Sequence, residues 1–143
     1  GELNMVKRLI ACGLDIKAKT NDGYTALHYA VRSGDSADIA QLLIDNGAET
    51  EINIKASDGN TPLHLAVICR NYKVAEFLIS KGGLYDIRNN EGKTAREIFE
   101  AWENEITEDG KERLWEGIIG NWKKELKAKD SNENTISPVK EKK

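Results

Sequence analysis

Asp58-Gly59-Asn60-Thr61-Pro62-Leu63-His64-Leu65-Ala66-Val67 has a close copy earlier in the chain, Asp22-Gly23-Tyr24-Thr25-Ala26-Leu27-His28-Tyr29-Ala30-Val31. A third, decayed copy reads Glu91-Gly92-Lys93-Thr94-Ala95-Arg96-Glu97-Ile98-Phe99. Gly23, Gly59 and Gly92 stand 36 and 33 residues apart. A second block recurs in phase with the first: Leu9-Ile10-Ala11-Cys12-Gly13, Leu43-Ile44-Asp45-Asn46-Gly47 and Leu78-Ile79-Ser80-Lys81-Gly82. Self-similarity at such a period marks a stacked array, in which each unit buries its apolar face only against its neighbours.

The residues of each block predict its local form. Asp-Gly and Asn-Asp-Gly are turn chemistry, because glycine reaches positive φ without a steric penalty. Thr25 and Thr61 are suited to cap a helix, since a hydroxyl accepts one of the orphan N–H groups at its start. Pro62 then falls in the first helical turn, where a missing N–H costs nothing. Ala30 and Ala66 are small enough for neighbouring helices to approach. Ile39, Leu42 and Leu43, and again Val74, Phe77 and Leu78, recur at helical spacing and predict a second helix. Gly47 and Gly82 suit the left-handed position that ends it. The unit is therefore a turn followed by two helices.

The period, with Thr-Pro-Leu-His in register, resembles the ankyrin repeat over about residues 1–100. The resemblance implies an all-α solenoid of stacked helix pairs with short β-turn fingers. On this reading residues 1–19 form a partial repeat, 20–55 a repeat with insertions and 56–88 a regular repeat. Residues 89–129 form a degenerate terminal repeat with a capping helix, and 130–143 a disordered tail. The resemblance also makes His28 and His64 structural, hydrogen-bonding backbone and the nearby threonine of the same and adjacent repeats. It implies a non-catalytic surface that binds proteins through finger tips and the ends of the first helices. Carried across, the finger positions are Asn21, Asp22 and Tyr24, then Ser57, Asp58 and Asn60, then Asn90, Glu91 and Lys93. The helix-end positions are Arg32 and Ser33, Ile68 and Cys69, and Ala101 and Trp102. The residues expected to contact a partner are Tyr24, Arg32, Ser33, Asn60, Ile68, Cys69, Lys93 and Trp102, with Ile68 and Cys69 as an apolar centre.

Three departures carry expectations of their own. The repeat over 20–55 is three residues longer than the next. One extra residue lies between its helices and two lie in Glu49-Thr50-Glu51-Ile52-Asn53-Ile54, whose alternation predicts a longer β-hairpin finger. The first repeat matches only a second helix, with Met5, Val6, Leu9 and Ile10 as its stripe. The chain opens on Gly1, which fits a fragment of a stack that continued N-terminally. Beyond Trp102 the register is lost. Leu114, Trp115, Ile118, Ile119, Trp122 and Leu126 form the stripe of an amphipathic helix over about 110–129, expected to cover the last repeat.

Composition narrows the function. The 143 residues carry 39% hydrophobic and 31% charged side chains, enough apolar content for a core. The net charge of −3 lacks the basic excess of a dedicated nucleic-acid binder. No apolar run is long enough for a membrane helix, and no signal peptide opens the chain. Cys12 and Cys69 stand far apart and in no metal-like spacing, as free thiols of an intracellular protein do. No catalytic motif, glycine-rich phosphate loop or cofactor signature occurs. Cys69 has no second histidine to activate it, and Glu97 and Glu100 read as a solvated helix face. The expectation is a cytoplasmic, monomeric, non-enzymatic binder of a protein partner, with no metal, cofactor, nucleic acid or membrane. Two other readings stay open: a regulatory or targeting arm of a larger enzyme, and an effector delivered into a host cell.

Overall fold

The computed structural model describes residues 2–33 and 37–103. Its helices begin where the sequence places its caps. Thr25 accepts the His28 N–H on its hydroxyl, and the Thr25 N–H donates in return to His28 Nδ1 at 3.1 Å. Thr61 and His64 repeat the exchange at 3.2 Å. Each pair is a capping box with histidine in place of the usual Glu or Gln, and it satisfies two orphan donors at once. From these caps run α2 (Ala26–Arg32) and α4 (Pro62–Ile68).

The decayed third copy keeps the device with different chemistry. The Thr94 N–H donates to Glu97 Oε2 and the Glu97 N–H to Thr94 Oγ1, both at 3.0 Å, opening α6 (Ala95–Glu103). The same Glu97 oxygen meets Arg88 at 3.2 Å. Glu97 is therefore a helix cap, not merely part of a solvated face as the sequence suggested. Thr94 is buried, so Thr94→Ala is expected to cost about 1 kcal/mol of stability, measured by urea unfolding.

The other helices are α1 (Glu2–Ala11), α3 (Ala37–Asp45) and α5 (Tyr72–Ser80). After α3 and α5 the chain turns through Gly47 and Gly82 at φ +114° and +99°, in the left-handed region the sequence predicted. The helices form two rows. In one, α4 packs between α2 and α6; in the other, α3 packs between α1 and α5. α2 also packs on α3 and α4 on α5, so each unit is a helix pair. Leu27, Val31, Leu43, Leu63, Val74 and Leu78 are almost completely buried between the rows. Full burial of such a side chain contributes about 1.5–3 kcal/mol before ordering costs. The helical repeat solenoid expected from the sequence is the fold observed.

The fingers join the pairs. Each closes on itself, as when the Ala56 N–H donates to the Asn60 carbonyl and the Gly59 N–H to the Ala56 carbonyl. They also bond to one another. The Ser57 N–H donates to Asp22 O at 2.9 Å and the Asn90 N–H to Asp58 O at 3.0 Å. Among the described residues, strand-like pairing is limited to an isolated bridge between Arg88 and Thr94.

The hairpin expected over Glu49–Ile54 is not formed. Ala48–Glu51 is a 3-10 turn, and Ala48, Glu51 and Ile52 point inward at helical spacing. Burying Ile52, 3% exposed, selects this form over an alternating strand with no partner to pair with. Asn53 fixes the segment to the next unit, donating to Gly82 O at 3.1 Å and accepting the Leu84 N–H at 2.8 Å.

At the N-terminal end of the rows α1 buries none of its residues. Met5 and Leu9 are 64% and 45% exposed, while Ile39 and Leu43, their counterparts in α3, are buried. α3 has α2 packed against it, whereas α1 has no helix preceding it among the described residues. Beside α1 lies an apolar groove of about 390 Å³ lined by α1, Leu14, Tyr29 and α3. The predicted capping helix over 110–129 and the predicted tail over 130–143 lie outside the described residues.

Candidate protein-binding surface

The helices of the α2–α4–α6 row end side by side. Arg32 and Ser33 close α2, Ile68 and Cys69 close α4, and Ala101 and Trp102 hold the corresponding places near the end of α6. From Pro62 to Val67 every residue of α4 is buried; at Ile68 the helix turns an apolar side chain outward, 49% exposed. Arg32, Ser33, Cys69 and Ala101 are also exposed, and Trp102 is half-buried. The Ser33 hydroxyl donates to the Ala30 carbonyl, so it finishes the helix. The expected apolar centre at Ile68 and Cys69 thus stands on the surface.

A residue outside the expected set completes this ridge. Arg70 is the one non-glycine residue at positive φ (+59°) among the described residues. Its N–H reaches back to Val67 O at 3.0 Å, and its guanidinium lies 4.7 Å over the Trp102 ring. Trp102 in turn faces Tyr72 at 5.3 Å, and Tyr72 meets Phe99 edge-on at 5.8 Å. Burial in this cluster pushes the Tyr72 hydroxyl up to about 12, against the opposing pull of Arg70. The signal was visible in the sequence: Arg70 takes the register position that Gly34 holds one repeat earlier.

The finger residues are placed differently. Tyr24 donates its hydroxyl to Asp58 Oδ2 at 2.6 Å, across one repeat. That bond, helped by burial and by the Asp58 charge, pushes Tyr24 up to about 12, against the opposing pull of Arg32. Burial disfavours the Asp58 carboxylate, but hydrogen bonds from Tyr24 and Asn60 outweigh it and hold the group below its usual range. Asn60 donates to Asp58 Oδ2 at 3.0 Å and accepts from Asn89 Nδ2 at 2.9 Å. Among the described residues the Lys93 ammonium pairs with Glu91 of its own finger, at 3.4 Å in solvent. Tyr24 and Asn60 are therefore engaged in tying the fingers together, whereas Ile68, Cys69 and Arg32 present their side chains outward. The roles of Asp58 and Asn89 as cross-finger clamps were not legible from spacing alone.

His28 and His64 are completely buried. Their Nδ1 atoms accept from the capping threonines, which leaves the proton on Nε2. His28 Nε2 then faces Asn60 O at 3.3 Å and His64 Nε2 faces Lys93 O at 3.1 Å, each in the following finger. Burial pushes both imidazoles below their ordinary value despite those carbonyls. This is the structural role implied by the resemblance. Among the described residues no group of His, Cys, Asp and Glu could hold a metal ion. No described helix is long and apolar enough to cross a membrane.

The family model for ankyrin repeats (3 copies) matches residues 1–95. An ankyrin repeat-containing protein of Schizosaccharomyces pombe is 32% identical over 102 residues, covering 71% of this chain and 46% of that protein. The ankyrin repeat domain-containing protein SOWAHB of Xenopus laevis is 39% identical over 77 residues, covering 51% of this chain and 10% of the relative. Serine/threonine-protein kinase 12 of Arabidopsis thaliana is 34% identical over 100 residues, covering 70% and 21%. The chain thus spans less than half the length of each of these relatives.

Proposed function

The chain belongs to the ankyrin-repeat family, whose repeats are non-catalytic protein–protein interaction modules, and from that premise we propose that it binds a protein partner along the helix-end ridge centred on Ile68 and Cys69. The observation that carries this reading is the exposed Ile68 at the end of a helix otherwise buried from Pro62 onward. An apolar centre with polar neighbours is the anatomy of an interface hot spot. The cross-finger bonds support it too, because a surface ordered before binding loses little entropy on association. Arg32, Ser33 and Trp102 flank the centre; Tyr24, Asn60 and Lys93 border it at the fingers. The repeat boundaries read from the sequence, a monomeric state and a cytoplasmic location belong to the same proposal.

The test is a double change, Ile68→Arg with Cys69→Glu. Both sites are exposed, so the circular dichroism spectrum and unfolding midpoint are expected to stay unchanged. Affinity for a purified partner is expected to fall by at least about a hundredfold, the loss of a hot-spot contribution of 2 kcal/mol or more together with introduced charge. Unchanged affinity in the folded variant rules the ridge out and moves the site to the fingers.

A second reading is that this segment is the regulatory arm of a larger enzyme. The likeness to a protein named as a serine/threonine kinase, of which the chain covers 21%, favours it. Sequencing the complete gene separates the two: an adjoining catalytic domain supports the arm. Delivery into a host cell, the remaining sequence reading, is tested by the same gene, through its source.

A further inference from the structure

Arg70 occupies a left-handed backbone position that L side chains avoid and glycine takes freely. The register of the repeats offers glycine there, as Gly34 one copy earlier. A strained residue kept where an unstrained one is available points to a use for its side chain. That side chain lies on the exposed surface, stacked on Trp102, with no carboxylate in ion-pair distance among the described residues. Stacking fixes the guanidinium in place while leaving its N–H edge free to bond.

Arg32 sits one repeat back, at the register position of Ile68, and the described residues again supply it no ion pair. Its side chain is exposed at the end of α2. The finger carboxylate of Asp58 is already held by Tyr24 and Asn60. Glu91 pairs with Lys93 of its own finger. The exposed Ile68 thus has an exposed arginine at its own register position one repeat back and another two residues on, in a chain whose net charge is negative.

We infer that this ridge receives an acidic segment of a protein partner, with an apolar side chain seated on Ile68 and carboxylates on either side paired with Arg32 and Arg70. The inference rests on the protein-binding reading above and adds the chemistry of the partner. Arginine suits the task because its planar fork meets a carboxylate through two parallel hydrogen bonds.

The experiment is selection of a random peptide library, displayed on phage, against the full chain, followed by affinity measurements on synthetic peptides of the selected sequences. The expected result is enrichment of an apolar residue flanked by Asp or Glu, with affinity that falls as salt is added. Arg70→Gly is the decisive variant, because it relieves the backbone while removing the guanidinium. Its unfolding midpoint is expected to hold or rise, and its affinity for the selected peptides to fall about tenfold or more. Arg32→Gln is expected to weaken binding in the same direction without altering the fold.

Selected peptides that lose binding on Ile68→Arg but show no acidic bias, or bind Arg70→Gly unchanged, overturn the inference and leave the protein-binding ridge standing. A drop in stability for Arg70→Gly also overturns it, since Arg70 would then be serving the fold. Peptides indifferent to Ile68→Arg as well as to both arginine changes overturn the ridge itself.

Discussion

Gly59→Ala is expected to destabilise the protein by about 2–4 kcal/mol, while Gly92→Ala costs about 1 kcal/mol. Both glycines hold nearly the same left-handed conformation, φ +79° and +75°. Conformational strain alone therefore predicts equal losses. The surroundings differ. A Cβ on Gly59 would stand 2.5 Å from the Asn90 backbone N and 2.9 Å from the Asn89 carbonyl carbon. Backbone atoms are involved, and the Asn90 N–H is bonded to Asp58 O, so no side-chain rotation removes the clash. The next finger has to move, and with it the Asn89–Asn60 and His64–Lys93 bonds. A Cβ on Gly92 meets nothing within 4 Å. Urea unfolding of the two variants measures the difference. Equal losses would mean that the fingers are not in close contact in solution, and the argument for a pre-ordered ridge would fall with that contact.

This contrast marks how far the sequence could be read. The glycines, threonines and Pro62 announced turns, caps and helix starts because their local chemistry admits few conformations. Helix pairing followed from their period. Which glycine is crowded depends on the neighbouring repeat, and no local pattern encodes that. Alternation in Glu49–Ile54 failed for the same reason: Ile52 is drawn into the core by packing, and six residues are too few for periodicity to distinguish a strand from a 3-10 turn. Glu97 is exposed, as the solvated-face reading had it; its capping role was missed, although Thr94-Ala95-Arg96-Glu97 is a capping-box sequence, because the residue that fills this role in the two regular copies is histidine. In the surface, the exposed helix-end centre was legible from register. The engagement of Tyr24 and Asn60 between fingers was not, since it joins side chains 34 and 29 residues away, Asp58 and Asn89.

Acidification is expected to destabilise this protein before its carboxylates titrate. Both histidines are completely buried, and burial holds both below the ordinary imidazole value. Above about pH 6.5 the imidazoles are neutral in the folded and the unfolded chain alike, and they add no pH dependence. Below it the unfolded chain takes up protons that the folded chain refuses, so stability falls as pH falls. The slope reaches about 1.4 kcal/mol per pH unit for each histidine, until the folded imidazoles themselves protonate. Two such groups act in the same direction, against the roughly 5–15 kcal/mol that holds a small domain. Protonation is also damaging where it occurs. Nδ1 is the acceptor of the Thr25 and Thr61 N–H groups, so a proton added there opposes a donor at the start of α2 or α4 and breaks the capping box. Asp58 and Glu97, both held below their usual values, contribute stability that is lost only at lower pH, as those carboxylates protonate. Urea midpoints recorded from about pH 7.5 down to about pH 5 measure the effect. His64→Gln keeps a side chain able to cap and removes one titrating group, so its slope should be about half that of the parent. A parent curve flat over this range would mean that the imidazoles reach solvent, and that the histidines do not lock one repeat to the next.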